Sequence, residues 1–222
     1  MIDVSVIVPI YNMGKCVEPG LTALMAQKDV QMEVILVDDG STDNSQSECE
    51  RCIAGHPEFT YIRTENQGSG PARDVGIEKA QGEFLYFFDI DDSLEPDALS
   101  RMVAALRQSG CDLLVFGYSM TTDIRVVQHV ITPKPCILDG DAAQKDYASF
   151  MTGDDSIQGA PWNKLFRRDV VNQYHIEYPA LRRHQDEVFI MRYMDKARSV
   201  CMIPDVLYHH LFNNLERMWL KY

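Results

Sequence analysis

The chain has 222 residues, of which 45% are hydrophobic and 24% are charged, and its formal net charge is −12. This length permits one large domain or two small ones, with a substantial core. The negative charge argues against nucleic acid or an anionic membrane surface as the main partner. A protein this acidic needs a local positive centre to bind a phosphorylated ligand, and a divalent cation would supply one.

The N-terminus and the cysteines favour a cytoplasmic protein. Met1 is followed closely by the apolar run Val4-Ser5-Val6-Ile7-Val8, which predicts a strand and not a signal peptide. No apolar stretch of the sequence approaches the ~18 residues of a membrane span, so no transmembrane segment is expected. Cys49-x-x-Cys52 lacks a second ligand pair in the sequence, and we interpret the six cysteines as core or surface thiols.

Strands alternate with helices through the first half of the sequence. Apolar runs predict strands at residues 4–10, 33–38, 59–64, 84–88 and 113–118. Helical spacing and end signals predict helices at residues 17–25, 44–54, 71–81 and 96–109. The alternation indicates an α/β fold with a Rossmann-like, mostly parallel central sheet flanked by helices.

The rhythm changes after Tyr118, where the predicted elements become shorter and less regular. They are a strand at 124–131, a helix at 141–151 and short segments at 162–166, 188–194 and 206–211. We therefore expect a single domain. Residues 1–118 would form its nucleotide-binding half, and residues 119–222 a smaller, irregular half that completes the cleft.

Two acidic motifs follow predicted strands, Asp38-Asp39-Gly40 in the first case and Asp89-Ile90-Asp91-Asp92 in the second. In open α/β sheets, ligands bind outside the carboxyl ends of the strands. If the second strand stays extended through its motif, Asp89 and Asp91 face one side and Asp92 faces away. Such carboxylates suit Mg²⁺ or Mn²⁺, whose coordination substrate phosphates and water complete. The alternative is that these aspartates only cap helices or stabilise turns.

A glycine-containing loop, Gly68-Ser69-Gly70-Pro71-Ala72-Arg73, precedes the third predicted helix. Arg73 stands where a dinucleotide-binding loop has its third glycine, and the Gly-Lys-Ser/Thr ending of a P-loop is absent from it. A dehydrogenase or a P-loop nucleotidase is therefore not favoured. The loop permits a tight turn with Arg73 one helical turn further on, or it is a plain β–α loop with a solvated arginine.

These motifs belong to an ordered set that runs from about residue 4 to residue 210. Its segments are residues 6–12 (VIVPIYN), 37–43 (VDDGSTD), 66–68 (NQG) with 72–76 (ARDVG), 89–92 (DIDD) with 95–97 (EPD), 162–166 (WNKLF) and 185–189 (QDEVF). No single segment is decisive, but the set in this order is highly specific. It resembles the pattern of a family 2 glycosyltransferase with the GT-A fold, of the bacterial capsule and cell-envelope type.

The resemblance implies transfer of a sugar with inversion from a nucleotide-diphosphate donor, commonly a UDP-sugar, to a glycan or lipid-linked acceptor. It also implies Mn²⁺ or Mg²⁺ as cofactor, and polysaccharide biosynthesis in the cytoplasm or peripherally at the inner face of the cell membrane. The residues that match the family's site are Pro9 and Tyr11 at the nucleobase, Asp39 at a uracil N–H, Arg73 near the nucleotide, Asp89 at the ribose or the metal, Asp91 at the metal and Asp186 as the catalytic base.

Two residues depart from the family's pattern. Gln185 stands where glutamate is usual. With no carboxylate there to raise its pKa, Asp186 is expected to stay ionised well below neutral pH. Asp74 replaces the usual asparagine after the arginine. These departures leave a catalytically lapsed nucleotide-sugar-binding protein as one alternative.

A sugar nucleotidyltransferase is the second alternative, since such enzymes also handle nucleotides with aspartates and a metal. The loop Asn12-Met13-Gly14-Lys15-Cys16 argues against it, because the glycine- and basic-rich loop expected after the first strand of such an enzyme is missing there. His209 and His210 match a place where a histidine of some relatives helps to hold the metal, and surface histidines on a late strand are the other interpretation.

Overall fold

The computed structural model describes residues 1–122, 127–141, 143, 145, 159–181 and 183–212. The described strands are β1 (Val4–Ile10), β2 (Met32–Asp38), β3 (Phe59–Arg63), β4 (Phe84–Phe87), β5 (Ser93–Leu94), β6 (Leu113–Thr122), β7 (Val127–Ile131), β8 (Cys136–Asp139), β9 (Lys164–Arg167) and β10 (Ser199–Phe212). The described helices are α1 (Gly14–Met25), α2 (Ser45–Cys52), α3 (Ser69–Lys79), α4 (Ala98–Ser109), α5 (Arg168–Tyr174) and α6 (Gln185–Lys196).

These strands form one sheet in the order β3-β2-β1-β4-β9-β6-β10-β5, with β7 beside β6 and β8 beside β10. β1 is parallel to β2 and β4, and β2 is parallel to β3. β9 is antiparallel to both β4 and β6, so β6 runs in the direction of β4, and β10 is parallel to β6. The predicted α/β architecture is confirmed, with β1, β2, β3, β4, β6 and β10 sharing one direction.

In the first half of the chain, the start of α3 differs from its prediction and the end of α4 agrees with it. α3 begins at Ser69, two residues before Pro71, because Gly68 at φ 103° turns the chain directly into the helix. α4 ends as predicted, where Gly110 takes a left-handed conformation at φ 68°.

The second half differs more from its prediction. Residues 188–194 are part of the longer helix α6, and residues 206–211 are part of β10. Of the strand predicted at 124–131, only Val127–Ile131 is described, as β7. Most of the helix predicted at 141–151 lies outside the described residues.

The central strands are buried on both faces, which explains their continuous apolar runs. In β1, Val6 and Val8 belong to the hydrophobic cluster that includes residues of α1 and α4, whereas Ile7 belongs to the cluster of α3 and α6. α3 packs very closely on β1, since a Cβ added to Gly76 would lie 2.4 Å from Cγ2 of Ile7. Helices α3 and α6 therefore share one face of the sheet, and α3 lies directly against its central strand.

Candidate active site

A cleft of about 540 Å³ opens beyond the carboxyl ends of β1, β2 and β4. The cleft is lined by all seven residues that were predicted from the sequence to form the site, namely Pro9, Tyr11, Asp39, Arg73, Asp89, Asp91 and Asp186. Asn66, Gln67, Gly68, Leu181 and Gln185 are among its other lining residues. The parallel strands thus bring residues from distant parts of the chain to one edge of the sheet, as predicted.

Pro9 and Tyr11 lie at the end of β1. Pro9 pairs with Val37 in the parallel register of β1 and β2, which fixes its position beside the Asp38-Asp39 motif. Tyr11 follows the last residue of β1, is 37% exposed and lines the cleft, so part of this residue is accessible to a ligand. An accessible aromatic face at this edge can pack against a planar ring of a ligand.

The Asp39 carboxylate is almost fully buried, at 3% exposure, although it borders the cleft. Its two oxygens accept hydrogen bonds from the backbone N–H groups of Gln67 at 2.8 Å and Gly68 at 2.7 Å. Asp39 therefore holds the loop that leads into α3. A carboxylate offers about four lone-pair positions, so these two bonds leave capacity to accept from further donors.

Asp38, next to it, has a different environment. Its buried carboxylate accepts bonds from the hydroxyl of Tyr61, the guanidinium of Arg63 and the backbone N–H of Ser41. These contacts tie β2 to β3 and fix the turn that follows, so the first aspartate of the motif supports the loop and the second faces the cleft.

The Asp89–Asp92 segment is a turn and not an extended strand end. β4 ends at Phe87, and the N–H of Asp92 donates to the carbonyl of Asp89 at 3.0 Å. The expected separation of the side chains still holds, because Asp89 and Asp91 line the cleft and Asp92 points into the protein. Buried Asp92 accepts bonds from the Tyr208 hydroxyl and from the Leu211 N–H, the latter at 2.8 Å.

Arg73 is buried at 4% exposure, so its interpretation as a solvated arginine is wrong. Its guanidinium bridges two carboxylates that are distant in the sequence. Nη1 donates to Asp186 at 2.8 Å and Nη2 donates to Asp89 at 3.1 Å. The guanidinium carbon also lies 5.5 Å from the ring centroid of Tyr178, a cation–π contact. No sequence motif marks Tyr178, and only the fold reveals its role.

Asp186 is the second residue of α6, as its predicted place near the start of a helix requires. Burial raises the pKa of Asp186 above its usual value, with Arg73 opposing this effect and Asp89 adding to it. The sequence did not reveal this rise, because it shows neither the burial of Asp186 nor the nearby Asp89 carboxylate, and ionisation of Asp186 well below neutral pH stays a prediction. A carboxylate with a raised pKa is a better proton acceptor than an exposed one.

The two departures from the family's pattern have specific contacts. Gln185 is buried, and its Oε1 accepts from the N–H of Gly70 at 3.0 Å while its Nε2 donates to the hydroxyl of Ser69. The Asp74 carboxylate accepts from the N–H of Tyr178 at 3.0 Å. Both side chains thus join α3 to the segment that leads into and begins α6.

Neither His209 nor His210 lines the cleft. His210 bonds to Asp92 at 2.9 Å and stacks on Trp162, which also stacks on Tyr208. His209 bonds to Glu95 and Ser119. The two histidines are partly buried. Within the described part of the chain, no group of three or more His, Cys, Asp or Glu side chains is arranged to hold a metal ion.

Asp89 and Asp91 nevertheless fit a cation that ligand phosphates and water complete. Both border the cleft, and their oxygens are the hard donors that Mg²⁺ and Mn²⁺ prefer. Two protein carboxylates are sufficient for a cation of that kind, so the absence of a larger cluster among the described residues is compatible with the predicted metal.

The fold and the cleft define an α/β protein with an acidic site at the carboxyl edge of its sheet, a class in which comparison with known families places this chain more exactly. A sequence model of the family described as Glycosyl transferase family 2 matches residues 5–128 of this chain. The chain therefore belongs to family 2 of the glycosyltransferases. The match covers every first-half residue of the candidate site, from Pro9 to Asp91.

Curated relatives match nearly the whole chain. EpsH of Bacillus subtilis, which carries a provisional glycosyltransferase name, is 33% identical over 98% of this chain and 64% of its own length. The glycosyltransferase GlyG of Streptococcus pneumoniae is 27% identical over 92% of this chain and 69% of its own length. This chain thus spans about two thirds of these relatives.

Solved structures place the fold in the GT-A class. TarS of S. aureus (residues 1–349) in complex with UDP-GlcNAc superposes with a TM-score of 0.82 at 24% identity, covering 100% of this chain and 62% of that one. The mannosyltransferase PcManGT from Pyrobaculum calidifontis, in complex with GDP-Man and Mn²⁺, has a TM-score of 0.68 at 20% identity. Of the helices described in this chain, none has the length and apolarity to cross a membrane.

Proposed function

We propose that this protein is an inverting, metal-dependent glycosyltransferase that moves a sugar from a UDP-sugar to a glycan or lipid-linked acceptor. The observation that carries the proposal is that all seven predicted site residues line one cleft at the carboxyl edge of the sheet. It agrees with the family, and with a structural neighbour that was solved with UDP-GlcNAc. We place its action in the cytoplasm, peripherally at the membrane if the acceptor is lipid-linked.

The donor's base would lie between Tyr11 and Asp39. The ring of Tyr11 offers a stacking surface, and the Asp39 carboxylate retains the capacity to accept a bond from a uracil N3–H. Pro9 would complete this pocket from β1. The loop at Gln67 and Gly68, which Asp39 anchors, would form its opposite rim.

Asp89 and Asp91 would hold Mn²⁺ or Mg²⁺ against the donor's diphosphate. The bound cation would stabilise the negative charge that the departing nucleoside diphosphate acquires. The charges of the cleft support this metal site. Among the described residues that line the cleft, four are aspartates and only one, Arg73, is basic. An anionic diphosphate would be repelled there without an additional positive charge.

Asp186 would be the general base that accepts the proton of the attacking hydroxyl. A single inverting displacement requires one such base, on the side of the sugar opposite the leaving group. Its place at the start of α6, facing the cleft and bonded to Arg73 at 2.8 Å, fixes its orientation. Burial raises the pKa of Asp186 toward neutral pH, which makes the carboxylate a stronger proton acceptor.

Calorimetry and a turnover assay together test the proposal. Calorimetry would measure UDP binding with Mn²⁺ and with EDTA, and we expect binding that requires the metal. UDP release would then be followed from a panel of UDP-sugars, beginning with UDP-GlcNAc. Absence of UDP binding under both conditions would refute the proposed donor. Binding without turnover of any UDP-sugar in wild type would instead support a lapsed, binding-only protein.

A further inference from the structure

The charges around the cleft are unbalanced, and Arg73 is central to them. Of the described lining residues, four are aspartates and one is basic, so the formal sum of their charges is −3. Arg73 lies between two of the aspartates, with 5% of its side chain exposed against 31% for Asp89 and 30% for Asp186. A buried guanidinium is shielded from solvent, so its field acts strongly on nearby charges.

The guanidinium is fixed from several directions. One hydrogen bond goes to Asp186 and one to Asp89, and the Tyr178 ring lies 5.5 Å from the guanidinium carbon. Nε is also buried, and no described residue accepts a hydrogen bond from it. A side chain held in this way cannot easily withdraw when another cation approaches Asp89, because withdrawal would leave its charge buried and unpaired.

We propose that Arg73 is an internal counter-cation that opposes binding of a free divalent ion and thereby couples the ion's entry to that of the nucleotide. The inference rests on the metal site proposed above and concerns its regulation. Arg73 already neutralises part of the charge on Asp89, and a divalent ion at Asp89 and Asp91 would lie within its repulsive field. The arriving diphosphate would offset that repulsion, so metal and nucleotide should bind together more tightly than either alone.

The test measures the affinity for Mn²⁺ alone, without nucleotide, by electron paramagnetic resonance and calorimetry. Arg73→Gln removes the charge and keeps a polar side chain, and we expect Mn²⁺ to bind on the order of tenfold more tightly. Arg73→Lys keeps the charge and should remain within about twofold of wild type. Arg101→Gln is the matched control, because Arg101 also bridges two carboxylates, Asp97 and Asp205, but does so on the exposed surface.

Arg73→Ala provides a second neutral variant if Arg73→Gln proves unstable, and circular dichroism would verify folding of each protein. Tighter Mn²⁺ binding in the neutral variants, unmatched by Arg101→Gln, supports the inference. Unchanged or weaker binding overturns it and makes Arg73 an orienting partner of Asp89. Absence of Mn²⁺ binding in wild type and neutral variants also overturns it. Failure of the proposed function is seen separately, as absence of UDP binding by wild type.

Discussion

Asp74 provides the most direct quantitative test of the structure. Burial raises the pKa of this carboxyl to about 6, and Glu177 adds to the rise, while the N–H of Tyr178 and Arg192 oppose it. In the unfolded chain the same carboxyl titrates near its ordinary pKa of about 3.9. The native state therefore binds the proton more tightly, and ionisation of Asp74 destabilises the fold as pH rises through the interval from about 4 to 6. Asp74→Asn should remove this destabilisation.

The size of the effect follows from the shift. About two pKa units correspond to ~3 kcal/mol at most. Because Asp74 is partly exposed, solvent screening reduces the expected gain in unfolding free energy to about 1–2 kcal/mol. In the wild type, the backbone nitrogen of Tyr178 lies 3.0 Å from Oδ1 of Asp74. Asparagine keeps an oxygen at that position, so the hydrogen bond between α3 and the segment that leads into α6 should survive. Above pH 6 the gain should be full, and it should fall toward zero near pH 4.

Urea unfolding of wild type and Asp74→Asn at pH 7.5 and pH 4.5 measures the difference, with equal m-values as the condition for comparison. Asp3→Asn is a control of opposite sign. Hydrogen bonds from the Gln31 N–H and Arg107 keep the pKa of Asp3 low against the opposing effect of burial, so its replacement should cost stability at neutral pH. A stabilisation by Asp74→Asn that is equal at both pH values, or a destabilisation at pH 7.5, would refute the reasoning.

Three predictions concern the cleft. Asp91→Ala should abolish the metal-dependent part of UDP affinity while Asp195→Ala, an exposed aspartate on α6, should not; undiminished calorimetric affinity in Asp91→Ala would contradict the metal assignment. Wild type should bind UDP more tightly than CDP by about 1–3 kcal/mol, and Asp39→Ala should lose that preference; equal wild-type affinities would remove Asp39 from base selection. Asp186→Asn should lower transfer ~10²–10⁴-fold with UDP and Mn²⁺ binding retained, and near wild-type turnover would eliminate it as the base.

The sequence contained enough information to locate the site because of how its strands are built. β1, β2 and β4 are buried on both faces, so each is an apolar run with a visible end. The residues after each end are therefore neighbours in space, whatever their separation in the chain. This is why Tyr11, Asp39 and Asp91 could be assigned to one cleft, although their roles toward a ligand stay predictions.

The position of β9 could not be predicted in the same way. Its four residues, Lys164–Arg167, insert between β4 and β6 and pair antiparallel with both. Pairing between segments about 80 positions apart for β4 and about 50 for β6 leaves no local pattern, because hydrophobic alternation is the same for parallel and antiparallel strands. The motif around it has a structural use: Trp162 stacks on Tyr208, and the buried ammonium of Lys164 donates to the carbonyl of Ala160 at 2.8 Å.

The electrostatics of Asp186 were equally hidden, because they depend on residues that the sequence separates widely. Arg73 lies 113 positions away and Asp89 almost as far, and both act on the same carboxylate. A sequence shows that Gln185 is neutral, but it does not show that the Asp89 carboxylate approaches Asp186 from the turn after β4. Only the packing of α3 and α6 on one face of the sheet makes these groups neighbours.

The first turns of α3 and the loop before them connect several parts of the candidate site. The loop before the helix is held by Asp39, Arg73 bridges Asp89 and Asp186, and Asp74 binds the segment before α6. Substitutions of residues that share such a network are not expected to have additive effects. If Asp39→Ala releases the loop before α3, it should also disturb Arg73 and, through it, Asp186. The fraction of transfer activity that remains in the double variant Asp39→Ala, Asp186→Asn should therefore exceed the product of the fractions that remain in the two single variants. A fraction equal to that product would show that α3 transmits nothing between the two ends of the cleft.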